Sequence, residues 1–146
     1  MRVSDVLRSK PNRIVSLPPS ASAAEAAAMM HQQKIGAVLV CDEKGRLLGL
    51  LSERELALAI AVRMTDLFRH RIGELMTIAT PSVAPEDAVQ DVMRLMTERR
   101  ARHLPVIQDG SLVGLVSIGD ILKSRVEEKA QENAILRDLA QAHLIA

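Results

Sequence analysis

The stretch "GLVSIGD", Gly114 to Asp120, returns in altered form as "GLLSERE", Gly49 to Glu55. Ser followed three residues later by an acid is the capping box that ties up the orphan amides at a helix start. Those same amides attract phosphate. Working outward, Pro19 matches Pro85, Met30 matches Met96 and Val40 matches Val106, each 66 positions apart. Past "DEKGR" and the one-residue-shorter "QDGS" the offset becomes 65, as for Gly49 with Gly114, Ser52 with Ser117 and Glu55 with Asp120. A constant offset that slips once, at a turn, marks an internal duplication. The lead-ins match too, "RVSDVL" against "RIGELM".

Each copy reads as β-α-β-β-α. A short stretch ending in Pro precedes an amphipathic helix, with Ala88, Val92, Leu95 and Met96 at helical spacing in the second copy. The apolar runs "HLPVI" and "LVGLVS" flank "QDGS" as a hairpin, and "AVLVC" and "RLLGLLS" flank "DEKG" in the first copy. A repeat of about 60 residues is marginal alone, and two can bury their apolar sheet faces against each other. The expected fold is α/β: two pseudo-twofold β-α-β-β-α repeats plus a C-terminal helix. The repeats are assigned to residues 1–61 and 72–125, joined by a helical connector over 62–71, with the C-terminal helix over 126–146. The last segment lacks Gly and Pro and keeps Val126, Ala130, Leu136 and Leu139, so it is a helix in need of a partner surface, in its own module or across a homodimer.

Composition narrows the function classes. Nineteen basic and eighteen acidic residues leave a net charge of +1, so no global field draws the chain to nucleic acid or membrane. One Phe and no Trp or Tyr argue against nucleic-acid stacking platforms. No apolar run approaches the roughly 20 residues of a membrane helix, and "MRVSDVLRSK" has no signal core, so a cytoplasmic protein is expected. The single Cys41, in "AVLVC", reads as a buried thiol. His31, His70 and His143 share no metal-ligand spacing with one another or with Cys41 and read as surface or helix-packing residues. Met29, Met30, Met93 and Met96 recur at equivalent helix positions and read as core filling. No P-loop, G-x-G-x-x-G or nucleophile with its base is present, so no enzyme is expected.

The stretch "RHLPVIQDGSLVGLVSIGDIL" resembles the second half of a cystathionine-β-synthase (CBS) domain. That pattern joins an apolar-Pro-Val strand and an acidic-Gly turn to G-h-x-[ST]-x-x-D, filled here by Gly114, Ser117 and Asp120. Repeat one departs from it, with Leu39 in place of Pro and Glu55 in place of Asp. The resemblance covers about residues 1–125 and implies a tandem, commonly dimeric regulatory pair. Such a pair binds an adenosine-containing ligand, AMP, ATP or NAD, between its repeats and acts on an effector protein, without catalysis.

The resemblance further implies Ser117 on phosphate, Asp120 on the ribose hydroxyls and Gly119 leaving room for close approach. Across that cleft it implies Lys10, Arg13 and Ile14, then Lys34, Ile35, Gly36 and Ala37, with adenine between Ile14 and Ile35. Arg102 and His103 would face the phosphates, although "RRARH" can equally be a solvated helix end set against the dipole. Phosphate would favour the charged imidazole of His103, so affinity is expected to strengthen modestly at lower pH. The other cleft, around Ser52, Glu55 and Thr80, is expected to be weaker. The extra methylene of Glu55 displaces its carboxylate, and Ser52 with Glu55 is the fuller capping box. The alternative is a ligand-independent dimerisation protein that works through its C-terminal helix.

Overall fold

The computed structural model describes residues 1–11, 14–62 and 65–145. Helix α1 (Val3–Arg8) precedes β1 (Ser16–Leu17), α2 (Ala23–Gln33), the hairpin β2 (Ala37–Cys41) and β3 (Leu47–Ser52), and α3 (Glu53–Ala61). The second half runs α4 (Ile72–Leu75), α5 (Val89–Arg99), the hairpin β4 (His103–Gln108) and β5 (Ser111–Ser117), and α6 (Ile118–Ile145). Two pseudo-equivalent α/β halves with a C-terminal helix therefore stand as expected.

Turn chemistry sets the hairpins. Asp109 and Gly110 both take positive φ, 50° and 78°, as a tight two-residue turn with primed geometry requires. In the first hairpin Asp42 Oδ1 accepts the Lys44 and Arg46 amides at 2.9 and 2.8 Å, and Gly45 takes φ 76°. The first strand survives unequally. β1 pairs in parallel with β2 through Ser16–Leu39 and Leu17–Val40, whereas its counterpart is a single bridge from Val83 to Val106. Pro81 and Pro85 bracket Val83 and have no N–H to extend the ladder.

The connector differs from the expected helix. α3 ends at Ala61, Asp66 takes a left-handed φ of 55°, and one 3-10 turn, Leu67–Arg69, precedes α4. The helical sequence pattern there has few buried residues to hold it: Phe68 is 56% exposed and Val62 72%. Nor does a boundary at 125/126 separate two helices. With no Gly or Pro after Gly119, α6 is continuous over 28 residues, and from Gln131 onward its described side chains are exposed.

The lead-in helices are exchanged. Val3 and Val6 of α1 are buried with Val83, Val89, Val92, Leu104, Val106, Val116 and Ile121, all in the second half. Ile72 of α4 is buried with Ala21, Ala26, Met30, Val38, Val40 and Leu51, all in the first. Backbone bonds fix both: Ser4 N donates to Pro85 O at 2.8 Å, and Ile72 N to Ala21 O at 2.8 Å. Each packed module thus contains the other repeat's lead-in. A third cluster joins the halves, with Ala37, Leu39, Cys41 and Leu50 meeting Leu112 and Leu115. Cys41 is a free thiol packed there, and burial raises its pKa. Met30 and Met96 are core residues, with Met29 and Met93 packed against the two cores.

Candidate functional site

The two Ser-x-x-acid boxes start α3 and α6. In the second, Asp120 N donates to Ser117 Oγ at 3.1 Å while Ser117 N donates to Asp120 Oδ2 at 2.9 Å. Asp120 is not only a cap, because Lys10 Nζ also donates to Oδ2, at 2.7 Å, and to Leu115 O at 2.8 Å. Burial alone would raise the Asp120 carboxyl. The Lys10 ammonium and the Ser117 amide outweigh it and hold its pKa below the ordinary value.

In the first box Glu55 Oε2 accepts from the Ser52 amide at 2.7 Å and from the Ser52 hydroxyl, and Arg54 N donates to Ser52 Oγ at 3.2 Å. Thr77 Oγ1 donates to Glu55 Oε1 at 2.9 Å, so both oxygens are engaged. The longer side chain curls back onto its own helix start. Thr80 does not join this cluster: its hydroxyl makes a local turn bond to Thr77 O at 3.4 Å. Thr77 takes the place the sequence assigned to Thr80.

Beside the second box lies a groove of about 720 Å³ between the halves, within the size range of small-ligand sites. The first half contributes His31, Lys34, Ile35, Gly36 and Glu53, and the second Arg102, His103, Ser117 and Gly119. Two backbone bonds place its walls: Ile118 N donates to Arg102 O at 2.9 Å and Glu53 N to Gly36 O at 3.0 Å. They are pseudo-equivalent, so the groove follows the axis relating the repeats. Gly36 lets the His103 ring lie close, since a Cβ there would stand 3.3 Å from Nε2. Burial pushes the His103 imidazole down, against the smaller opposing pull of Asp120, Glu53 and Glu55. Folding therefore favours the uncharged ring.

Not every residue nominated from sequence lines this groove. Ala37 is 1% exposed and packs between the halves, as the first residue of β2 pointing into the sheet interface. Ile14 is 43% exposed and outside the groove lining, so adenine sandwiched by Ile14 and Ile35 does not follow from the present side-chain positions. Asp120 and Lys10 are also outside the lining and face each other beside it. Arg13 lies outside the described residues. Sequence reasoning missed His31, Glu53 and Thr77. His31 lies in the last turn of α2, just before the left-handed Lys34 that ends the helix and leads into Ile35 and Gly36, a signal that was available. Among the described residues no group of His, Cys, Asp and Glu could hold a metal ion.

Two pseudo-symmetric α/β halves with a ligand-sized groove between them define a tandem-repeat α/β module. The chain belongs to the CBS domain family, which matches it over residues 3–62 and 72–127. The mitochondrial CBS domain-containing protein CBSX3 of Arabidopsis thaliana is 36% identical over 112 residues, covering 74% of this chain. The chain spans about half, 54%, of that relative's length. The crystal structure of the CBS-domain containing protein ATU1752 from Agrobacterium tumefaciens is similar at TM-score 0.82 and 36% identity, over 86% of this chain and 99% of that one. The CBS domain pair of protein MJ0100, solved with 5′-methylthioadenosine and S-adenosyl-L-methionine, is similar at TM-score 0.75 and 26% identity, over 88% of this chain and 98% of that one.

Proposed function

We propose that this chain is a regulatory module that binds an adenosine-containing ligand at the second Ser-x-x-Asp box and signals through a change of conformation or assembly. One observation carries the reading. The groove brings Lys34 and Arg102 to Ser117 and Gly119 at the start of α6, with the Asp120 carboxylate adjacent. Amides and cations suit phosphate, and a carboxylate suits ribose hydroxyls. The first box supports no equal site, because Ser52 and Thr77 occupy both Glu55 oxygens. The adenosine ligands of the MJ0100 pair favour the same ligand class. AMP, ATP and NAD are the expected candidates, bound without bond making.

A ligand moves such a module only by its differential affinity for two states, so binding must accompany a measurable rearrangement. A cytoplasmic homodimer acting on a separate effector is the setting we propose. No described helix is long and apolar enough to cross a membrane. The test is a thermal-shift series with adenosine, AMP, ADP, ATP, NAD and S-adenosylmethionine on wild type and Asp120→Ala. Ligand at about 100 times its Kd should add roughly 2.7 kcal/mol to the wild type alone. No response from wild type, or an equal response from Asp120→Ala, overturns the reading.

A further inference from the structure

We propose that Lys10 is a built-in competitor for the ligand: it holds the Asp120 oxygen that a ribose diol needs, so binding must displace it. The inference rests on the reading of Asp120 as the ribose acceptor. A carboxylate offers about four acceptor positions, two on each oxygen. On Oδ2 both are taken, by Lys10 Nζ at 2.7 Å and by the Ser117 amide at 2.9 Å. A vicinal diol chelates a carboxylate across both oxygens, so one of these donors must leave. The Ser117 amide is fixed at the junction of β5 and α6, whereas Lys10 sits on a flexible four-carbon stem.

The position of Lys10 gives displacement a consequence. It lies two residues beyond α1, which is docked on the second half, and six before β1, which is paired in the first. Lys10 therefore pins the segment that crosses between the modules. Its hydrogen bonds to Asp120 and Leu115 O fasten it to the second half, beside a longer contact of 3.4 Å between the Ser9 and Ser124 hydroxyls. The first half repeats the device in weaker chemistry, with Thr77, just past α4, donating to Glu55. Occupancy at Asp120 would loosen the crossing where the halves are tied together.

Neutral adenosine is the discriminating ligand, because an ammonium freed from Asp120 cannot then gain a phosphate. Calorimetric titration of wild type, Lys10→Met, Lys10→Gln and Asp120→Asn with adenosine tests the idea, and the two Lys10 variants guard against one misfolding. Both should bind adenosine about three- to fivefold more tightly than wild type, the scale of a partly exposed ion pair, with Asp120→Asn losing binding. Equal or weaker binding by both Lys10 variants, with wild type binding and Asp120→Asn not, overturns the competitor and leaves the ribose reading standing. No adenosine binding by wild type or either Lys10 variant sinks the ribose reading, and this inference with it. Hydrogen exchange at Val15 to Leu17 should quicken when adenosine is added to wild type. Unchanged exchange refutes the link to the crossing segment.

Discussion

The strength of the Lys10–Asp120 pair can be predicted for the ligand-free protein. The side chains are 28% and 25% exposed and 2.7 Å apart. Two unit charges at that separation attract by about 1.5 kcal/mol in water and about 6 kcal/mol at an effective dielectric of 20. Desolvation offsets most of the larger figure, leaving a net coupling of about 1 kcal/mol. The perturbation is a double-mutant cycle of Lys10→Met and Asp120→Asn, and the assay is urea denaturation followed by far-UV circular dichroism. Asp120→Asn alone should cost about 1–2 kcal/mol, because the α6 cap also loses a charge-assisted bond. The sign of the pH dependence follows from a carboxyl pKa lowered by folding. The contribution is present above the unfolded value of about 3.9 and is lost as pH falls through the folded one. The coupling should therefore be constant from pH 8 to 5 and vanish in stronger acid. A coupling below about 0.3 kcal/mol at pH 7, within the error of additivity, refutes the reasoning.

Other outcomes are as specific. Gly49→Ala places a Cβ 2.8 Å from Thr77 O, which is backbone, whereas Gly114→Ala meets only the tip of Leu7 at 2.9 Å. Gly49→Ala should cost about 2–3 kcal/mol and Gly114→Ala about 1, and denaturation midpoints in the reverse order would contradict this packing. Gly36→Leu should push on His103 and fill the groove, abolishing the ligand-induced thermal shift at a stability cost of about 1 kcal/mol, and a retained shift would move the site elsewhere. His103 has a folded pKa lowered by burial, so the unfolded chain takes up its proton first. Stability should fall as pH drops below about 6.5, and His103→Gln should flatten that slope between pH 7 and 5. Truncation after Ala130 removes described side chains that are all exposed and should change the unfolding free energy of the isolated module by under about 1 kcal/mol. A larger loss would show that the end of α6 is covered in solution.

The duplication was the most legible feature, because turns and caps are local. "QDGS" dictates its turn, and Ser three residues before an acid dictates its helix start, whatever surrounds them. The difference between Asp120 and Glu55 was equally readable as one methylene. What sequence could not show were contacts between distant segments. Nothing near Lys10 predicts that its ammonium lands on a carboxylate 110 residues away, and Thr80 was nominated where Thr77 makes the contact. The connector misled because a pattern without Gly or Pro permits a helix but supplies no surface to hold one. His31 lacks metal-ligand spacing, yet its place in the last turn of α2 puts it on the groove.

The exchanged lead-in helices bear on how such a chain could arise and be taken apart. A single copy of the repeat would have its α1 equivalent with no cradle of its own, and would find one only on another molecule. The present arrangement is that of two such molecules, each lending the other a helix, spliced into one polypeptide. Cutting the chain between the repeats would not yield two modules but two halves of a mutual loan. A fragment of residues 1–61 should expose Val3 and Val6 and lack Ile72, and should recover structure on mixing with residues 65–145. Such complementation, followed by circular dichroism of the separate and mixed fragments, would make the repeat boundary a seam in the gene and not in the fold.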